Sequence, residues 1–132
     1  MISIHFLPGC RGRISAPELR RIAIAALRAE AVARGIGLEV VLADEATVRD
    51  LNRLYRGRDE PTDVLSFAAS EVEVAFVDSP EEAPVLGEVV VCLPVAEKQS
   101  RDAGQPVAGE IAHLLVHGTL HILGYDHEEA ED

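Results

Sequence analysis

Hydrophobic and polar positions along the chain switch between a period of two and a period near 3.6, and the switches mark its elements. Residues 2 to 7 read as a short strand closed by Pro8 and Gly9. Ser15 can cap a helix with Pro17 in its first turn. Leu19, Ile22, Ala23, Ala26, Leu27 and Ala31 form its apolar stripe, and the helix is expected to run to about Arg34 before Gly35 and Gly37 stop it. Leu38 to Ala43 predicts a second strand. Asp44 then caps a helix whose inward stripe is expected to be Val48, Leu51, Leu54 and Tyr55.

After Gly57 and the turn Asp59 to Pro61, residues 63 to 67 predict a third strand, with Thr62 and Ser66 polar near its ends. Glu71 to Val77 alternates as a hairpin strand would, inside a stretch, 68 to 85, that ends in a Pro- and Glu-rich loop and is assigned no function. Leu86 to Leu93 is strongly apolar apart from Glu88, as a strand buried on both faces would be. Pro94 opens a helix through Ser100 that Gly104 ends, and Pro106 starts the last helix. The pattern predicts a single α/β domain over residues 1–132, with a mixed sheet of about four strands packed with helices.

Composition narrows the class. With 48% hydrophobic and 27% charged residues the chain suits one soluble domain in the size range of a single core. No apolar run approaches the ~20 residues of a membrane helix, and the opening residues put the basic positions after the apolar ones, the reverse of a secretory signal. Cys10 and Cys92 lack metal or disulfide spacing and suit a reducing cytoplasm. The formal charge of -11 argues against indiscriminate affinity for nucleic acid.

The chemistry concentrates in EIAHLLVHGTLHILGYDH, residues 110–127. His117 and His121, four apart, stand on one helix face and can grip one cation. Gly124 can end the helix in the left-handed region and turn the chain so that His127 returns. Three imidazoles leave the fourth tetrahedral position to a water, the open arrangement of a catalytic zinc site. An i, i+4 histidine pair alone is weak; the following Gly124 and His127 give it weight. His113 continues the ladder but lies about 12 Å of helix rise from His121, so it is expected behind His117 rather than on the ion. Glu110 and Asp126 are further candidates for accepting hydrogen bonds from the ligands. Where peptidases of the HExxH type carry their glutamate base, this chain has Gly118, which disfavours peptide hydrolysis.

The segment HGTLHILGYDH resembles the signature of the YbeY family, bacterial rRNA maturation factors described as zinc-dependent, single-strand-specific endoribonucleases. LNRLYRGRDEPTDVLSFA, 51–68, and LGEVVVC, 86–92, resemble its other hallmark segments, with Glu88 where relatives usually have aspartate. The resemblance implies a zincin-like histidine helix, one zinc per chain on His117, His121 and His127, and a zinc-bound water. It also implies a further helix beyond the third histidine, whereas here five residues, EEAED, follow His127 and are expected to fray.

Arg49, Arg53 and Arg56 fall on one stripe, with Arg58 just beyond. Arg49 and Arg53 also fit a solvated face paired with Asp50 or Glu45. Arg56 aligns with an arginine that the resemblance marks as required, and a guanidinium fork suits a phosphorus centre gaining negative charge. The implied function is an endoribonuclease acting in maturation of the 16S rRNA 3′ end and in ribosome quality control. The expected partners are single-stranded rRNA and the small ribosomal subunit or a basic ribosomal protein, with the enzyme a monomer away from membranes. Only the Arg49 to Arg58 stripe looks usable for phosphates, so a ribosomal particle is expected to present the strand. Two rivals stay open: a metallohydrolase of another substrate, and a non-catalytic ribosome-binding factor whose zinc staples the last turn.

Overall fold

The computed structural model describes residues 1–69 and 84–124. Four strands, β1 (Ile2–Phe6), β2 (Gly37–Ala43), β3 (Val64–Ala68) and β4 (Val85–Cys92), form one sheet in the order β1-β2-β4-β3. The pairs β1/β2 and β2/β4 are parallel, and β3 runs antiparallel on the edge of β4, so the sheet is mixed as expected. Four helices accompany it: α1 (Ala16–Ala29), α2 (Glu45–Arg56), α3 (Leu93–Ala103) and α4 (Val107–Ile122).

The alternation of side chains along β2 and β4 divides the core into two layers. Leu38, Val40, Leu42, Val89 and Val91 meet Leu19, Ala23 and Leu27 of α1 and Ile111, Leu114 and Leu115 of α4 on one face. Val41, Ala43, Val90 and Cys92 pack with Leu65 and Phe67 against Val48 of α2 on the other. Both central strands are therefore covered twice, which is why they read as strongly apolar runs, each interrupted by one glutamate. Both cysteines are buried and free, and burial pushes the Cys92 thiol up to about 11, where it packs as a small apolar group.

The helix termini follow their capping residues. Ser15 Oγ accepts from the Glu18 amide and Asp44 Oδ1 from the Thr47 amide; hydrogen bonding to Thr47 holds the Asp44 carboxyl below its usual range. Gly57 and Gly104 close α2 and α3 in the left-handed region.

Two expectations need correction. α1 stops at Ala29, well before Arg34: Ala31 itself takes a left-handed φ of 58°, and the Val32 amide returns to the Leu27 carbonyl. Val32 packs onto the core, and that contact closes the helix without a glycine. The buried side of α2 is Val48 and Asn52, with Leu51 half-buried, whereas Leu54 and Tyr55 are 64% and 47% exposed. The helix is rotated because the Asn52 amide donates to the Glu60 carbonyl at 2.9 Å, satisfying its polar head inside and tying down the loop that follows. The expected hairpin strand at 71–77 lies outside the described residues.

Two carboxyl groups interrupt the second layer. Glu39 and Glu88 are register partners on β2 and β4 and are almost fully buried, with His5 Nε2 2.7 Å from Glu39 Oε1. Burial, and then the charge of Glu39, push the Glu88 carboxyl up, while His5 pulls it down. A carboxyl raised in the folded state favours folding fully only below its unfolded pKa of about 4.3, and that contribution is lost as pH rises through the folded value. Glu88→Gln is therefore expected to be more stable than the parent protein at about pH 8 and to lose that advantage towards about pH 4. Urea unfolding at both pH values reads this; equal stability at the higher pH would contradict it.

Candidate active-site cleft

A cleft of about 450 Å³ opens where the end of α2, the loop after it, β3 and the last half of α4 meet. Each wall has a local cause. α2 ends at Gly57, which leaves Arg56 on its final turn and Arg58 just outside, both lining the cleft. The loop is held by Asn52 beneath it and by Asp59, whose carboxylate receives the Arg49 guanidinium at 2.7 and 3.3 Å. Each member of that exposed pair holds the other in its charged form. Asp63 anchors the start of β3: its carboxylate accepts from the Val64 amide and from Gln99 of α3, and its carbonyl accepts from the Cys92 amide.

α4 presents His117 and His121 on the cleft wall. It can lie close to the sheet because residue 118 is glycine. A Cβ there would stand 2.7 Å from Val89 Cγ1 and 3.2 Å from Val64 Cγ2. The position that would hold a glutamate base in an HExxH helix thus faces packed valines. Gly118→Ala is expected to lower stability by about 1–3 kcal/mol, the cost of overpacking a filled interior. Urea unfolding of this variant measures it, and parental stability would mean that α4 can lift without cost.

The guanidinium of Arg56 is fixed from several sides. It donates from Nη1 to the Tyr55 carbonyl at 3.1 Å and from Nη2 to the Ser66 carbonyl at 2.8 Å, and its Cζ lies 4.8 Å from the centre of the Phe67 ring. Tyr55 meets the same ring edge-on, with centroids 5.3 Å apart. Ser66 also reaches α4: its Oγ is 2.9 Å from His121 Nδ1. In the tautomer in which Nδ1–H donates to the hydroxyl, the lone pair of His121 is left on Nε2. One residue of β3 therefore orients both the cleft arginine and a cleft histidine. Its place in TDVLSF was visible as a polar position near a strand end, but no spacing rule links it to a histidine 55 residues away.

The other candidate residues divide. Arg53 lies on the surface near Asp50 at 3.7 Å, and Arg49 is engaged by Asp59, so neither lines the cleft. His113 is exposed and makes no hydrogen bond among the described residues. Glu110 sits in the first turn of α4, about 16 Å of helix rise from His121, as a carboxylate at a helix N-terminus. Asp126 and His127 lie outside the described residues. Among the described residues, no group of three His, Cys, Asp or Glu side chains is placed to hold an ion. No helix there is long and apolar enough to cross a membrane.

Comparison with known proteins shows the family. The family model described as Endoribonuclease YbeY matches residues 13–132. The chain belongs to the YbeY family. A Dehalococcoides mccartyi protein named endoribonuclease YbeY is 42% identical over 97% of this chain and 78% of its own length. A Halorhodospira halophila protein of the same name is 48% identical over 87% of this chain and 73% of its own. The fold matches the solution structure of a Thermotoga maritima protein with a TM-score of 0.62 and 28% identity, over 96% of this chain and 75% of the other. The YbeY match includes α2, the following loop, β3 and α4, the segments that build the cleft.

Proposed function

We propose that this chain is a metal-dependent endoribonuclease that cuts single-stranded ribosomal RNA, acting in maturation of the 16S 3′ end and in quality control of the small subunit. The observation that carries this reading is the convergence of Arg56 with His117 and His121 on one cleft. The family name of its relatives supplies the reaction class. Two imidazoles on one wall, one of them hydrogen-bonded at Nδ1 to a hydroxyl, form a donor set that suits zinc. His117, His121 and His127 would hold the ion. When bound, it would supply Lewis-acid chemistry at the scissile phosphodiester.

The chain's own residues do the rest. Arg56 is held by two carbonyls and the Phe67 ring, so its fork needs little reordering to meet phosphate oxygens as negative charge grows on them. Ser66 keeps His121 in one orientation. Arg58 adds positive charge at the cleft rim, where it meets the strand's backbone. Gly118, closed in by Val64 and Val89, leaves no room for the glutamate base of the peptidase alternative.

The small ribosomal subunit is the partner that presents the strand, and the acidic remainder of the surface suits a basic ribosomal protein. RNA cleavage by the purified protein, with and without chelator, tests the activity. RNA left intact by the metal-loaded protein, both free and on small subunits, would overturn it. The product ends identify the nucleophile: a 2′,3′-cyclic phosphate marks attack by the RNA's own 2′-hydroxyl, and its absence marks water.

A further inference from the structure

The charge of the chain is strongly divided. Residues 1–34 contain six arginines against Glu18 and Glu30, a formal +4, while the other residues contain six Lys or Arg against 21 Asp or Glu, a formal -15. Every positive charge in the first group is an arginine, and four of them gather along one face. A groove of about 500 Å³ runs along the solvent side of α1, lined by Arg20, Arg21 and Arg28 around Ile24. A second cavity, of about 210 Å³, adjoins it at Ile24 and Arg28 and brings in Arg34 over an apolar floor that includes Leu27 and Val32.

The arginines have little else to hold. Arg20 donates from Nε to the Ile2 carbonyl, which fixes its stem and turns the rest of the fork elsewhere. Arg21 has only a 3.6 Å approach to Glu18 with a 72% exposed side chain, and among the described residues no ion pair engages Arg28 or Arg34. Ile24 is 37% exposed, a large apolar side chain left open among charges.

We propose that this face of α1 is a second docking surface for RNA, taking an unpaired segment that lies outside the cleft. The occupant rests on the endoribonuclease reading; the surface does not. Guanidinium forks match phosphate oxygens and their planes stack on bases, while the apolar floor takes the face of a base. On a chain so acidic elsewhere, a polyanion is held where the sign is reversed and repelled along the rest. The α1 face thereby adds to the Arg49 to Arg58 stripe as a place where phosphates can be neutralised, since Arg49 is engaged by Asp59 at 2.7 Å while among the described residues no ion pair engages Arg28 or Arg34. α1 packs over β1 and beside α4, whereas the cleft lies at the β3 edge, so one strand must cross α4 to reach both. The spacing of packed helices, about 8–10 Å, adds to that path. The surface therefore acts only on longer RNA.

The test compares the parent protein with Arg21→Gln/Arg28→Gln/Arg34→Gln, which spares the bond from Arg20 to β1. Binding is measured by fluorescence anisotropy against salt for single strands of about six and about thirty nucleotides. For the longer RNA the variant is expected to bind about tenfold more weakly, and the slope of log affinity against log salt should fall by about two, as three phosphates of a single strand are no longer neutralised. Cleavage of the shorter RNA should stay at the parental rate. The same affinity and slope as the parent on the longer RNA would overturn the proposal even if cleavage is normal. Equal losses on both lengths would overturn it as well, because the arginines would then serve the cleft. Loss of binding to a polyglutamate probe with RNA binding intact would assign the face to an acidic protein instead, and so overturn it. If no RNA is cut by either protein, the endoribonuclease reading fails, while a length-dependent binding loss would still sustain the surface.

Discussion

Replacing His121 with alanine is expected to remove the bound metal and, with it, RNA cleavage. On the proposed ligand set of His117, His121 and His127, the ion would then keep too few protein ligands, so its affinity should fall by at least about 100-fold, the upper range for disturbing a residue that merely orients a ligand. The cleavage rate should fall by roughly 10²–10³ or more. His117→Ala and His127→Ala should behave alike. His113→Ala should keep its metal, because His113 is exposed and stands off the cleft. Ser66→Ala is the graded case. His121 loses its Nδ1 partner but not its ring, and metal affinity should drop roughly 10–100-fold. Elemental analysis after dialysis, with cleavage measured on the same samples, reads all five variants. Metal retained by His121→Ala, or lost from His113→Ala, would discard this ligand set. Unfolding of His127→Ala, rather than loss of activity alone, would mean that the ion staples the last turn.

Arg56→Ala is expected to lower cleavage by roughly 10²-fold or more while the metal content stays unchanged. The guanidinium is pinned by the carbonyls of Tyr55 and Ser66 and by the Phe67 ring, so the substitution also removes local contacts. Stability must therefore be measured beside activity. A modest drop in stability with a fully folded cleft is expected, since this side chain lines the cleft and meets the core at Phe67. Arg56→Lys should recover little, because an ammonium cannot span two phosphate oxygens or lie flat on the ring. The loss should fall mainly on kcat, as charge builds on the phosphorus only towards the transition state. Parental activity at equal metal content in Arg56→Ala would remove this residue from the mechanism.

The features legible in the order of amino acids alone are local or periodic in origin. The i, i+4 spacing of His117 and His121 needs only a helix to become one face. Ser15, Asp44, Gly57 and Gly104 act within a few residues of themselves, so the helices they bound were legible. The strongly apolar runs of β2 and β4 announced central strands covered twice, and with them a mixed α/β sheet. Whatever depends on partners far along the chain was fixed only by the packed molecule. α2 turned Asn52 inward and Tyr55 outward because the Glu60 carbonyl was there to receive the amide. α1 ended early because Val32 found the core before Gly35 could act. Glu39 and Glu88 meet only through strand register. Ser66 joins Arg56 to His121 only because the edge strand β3 lies between α2 and α4. Periodicity reports which side of an element avoids water, but the rotation of that element and the side chain it meets are set by packing and hydrogen-bond satisfaction, which no local pattern encodes.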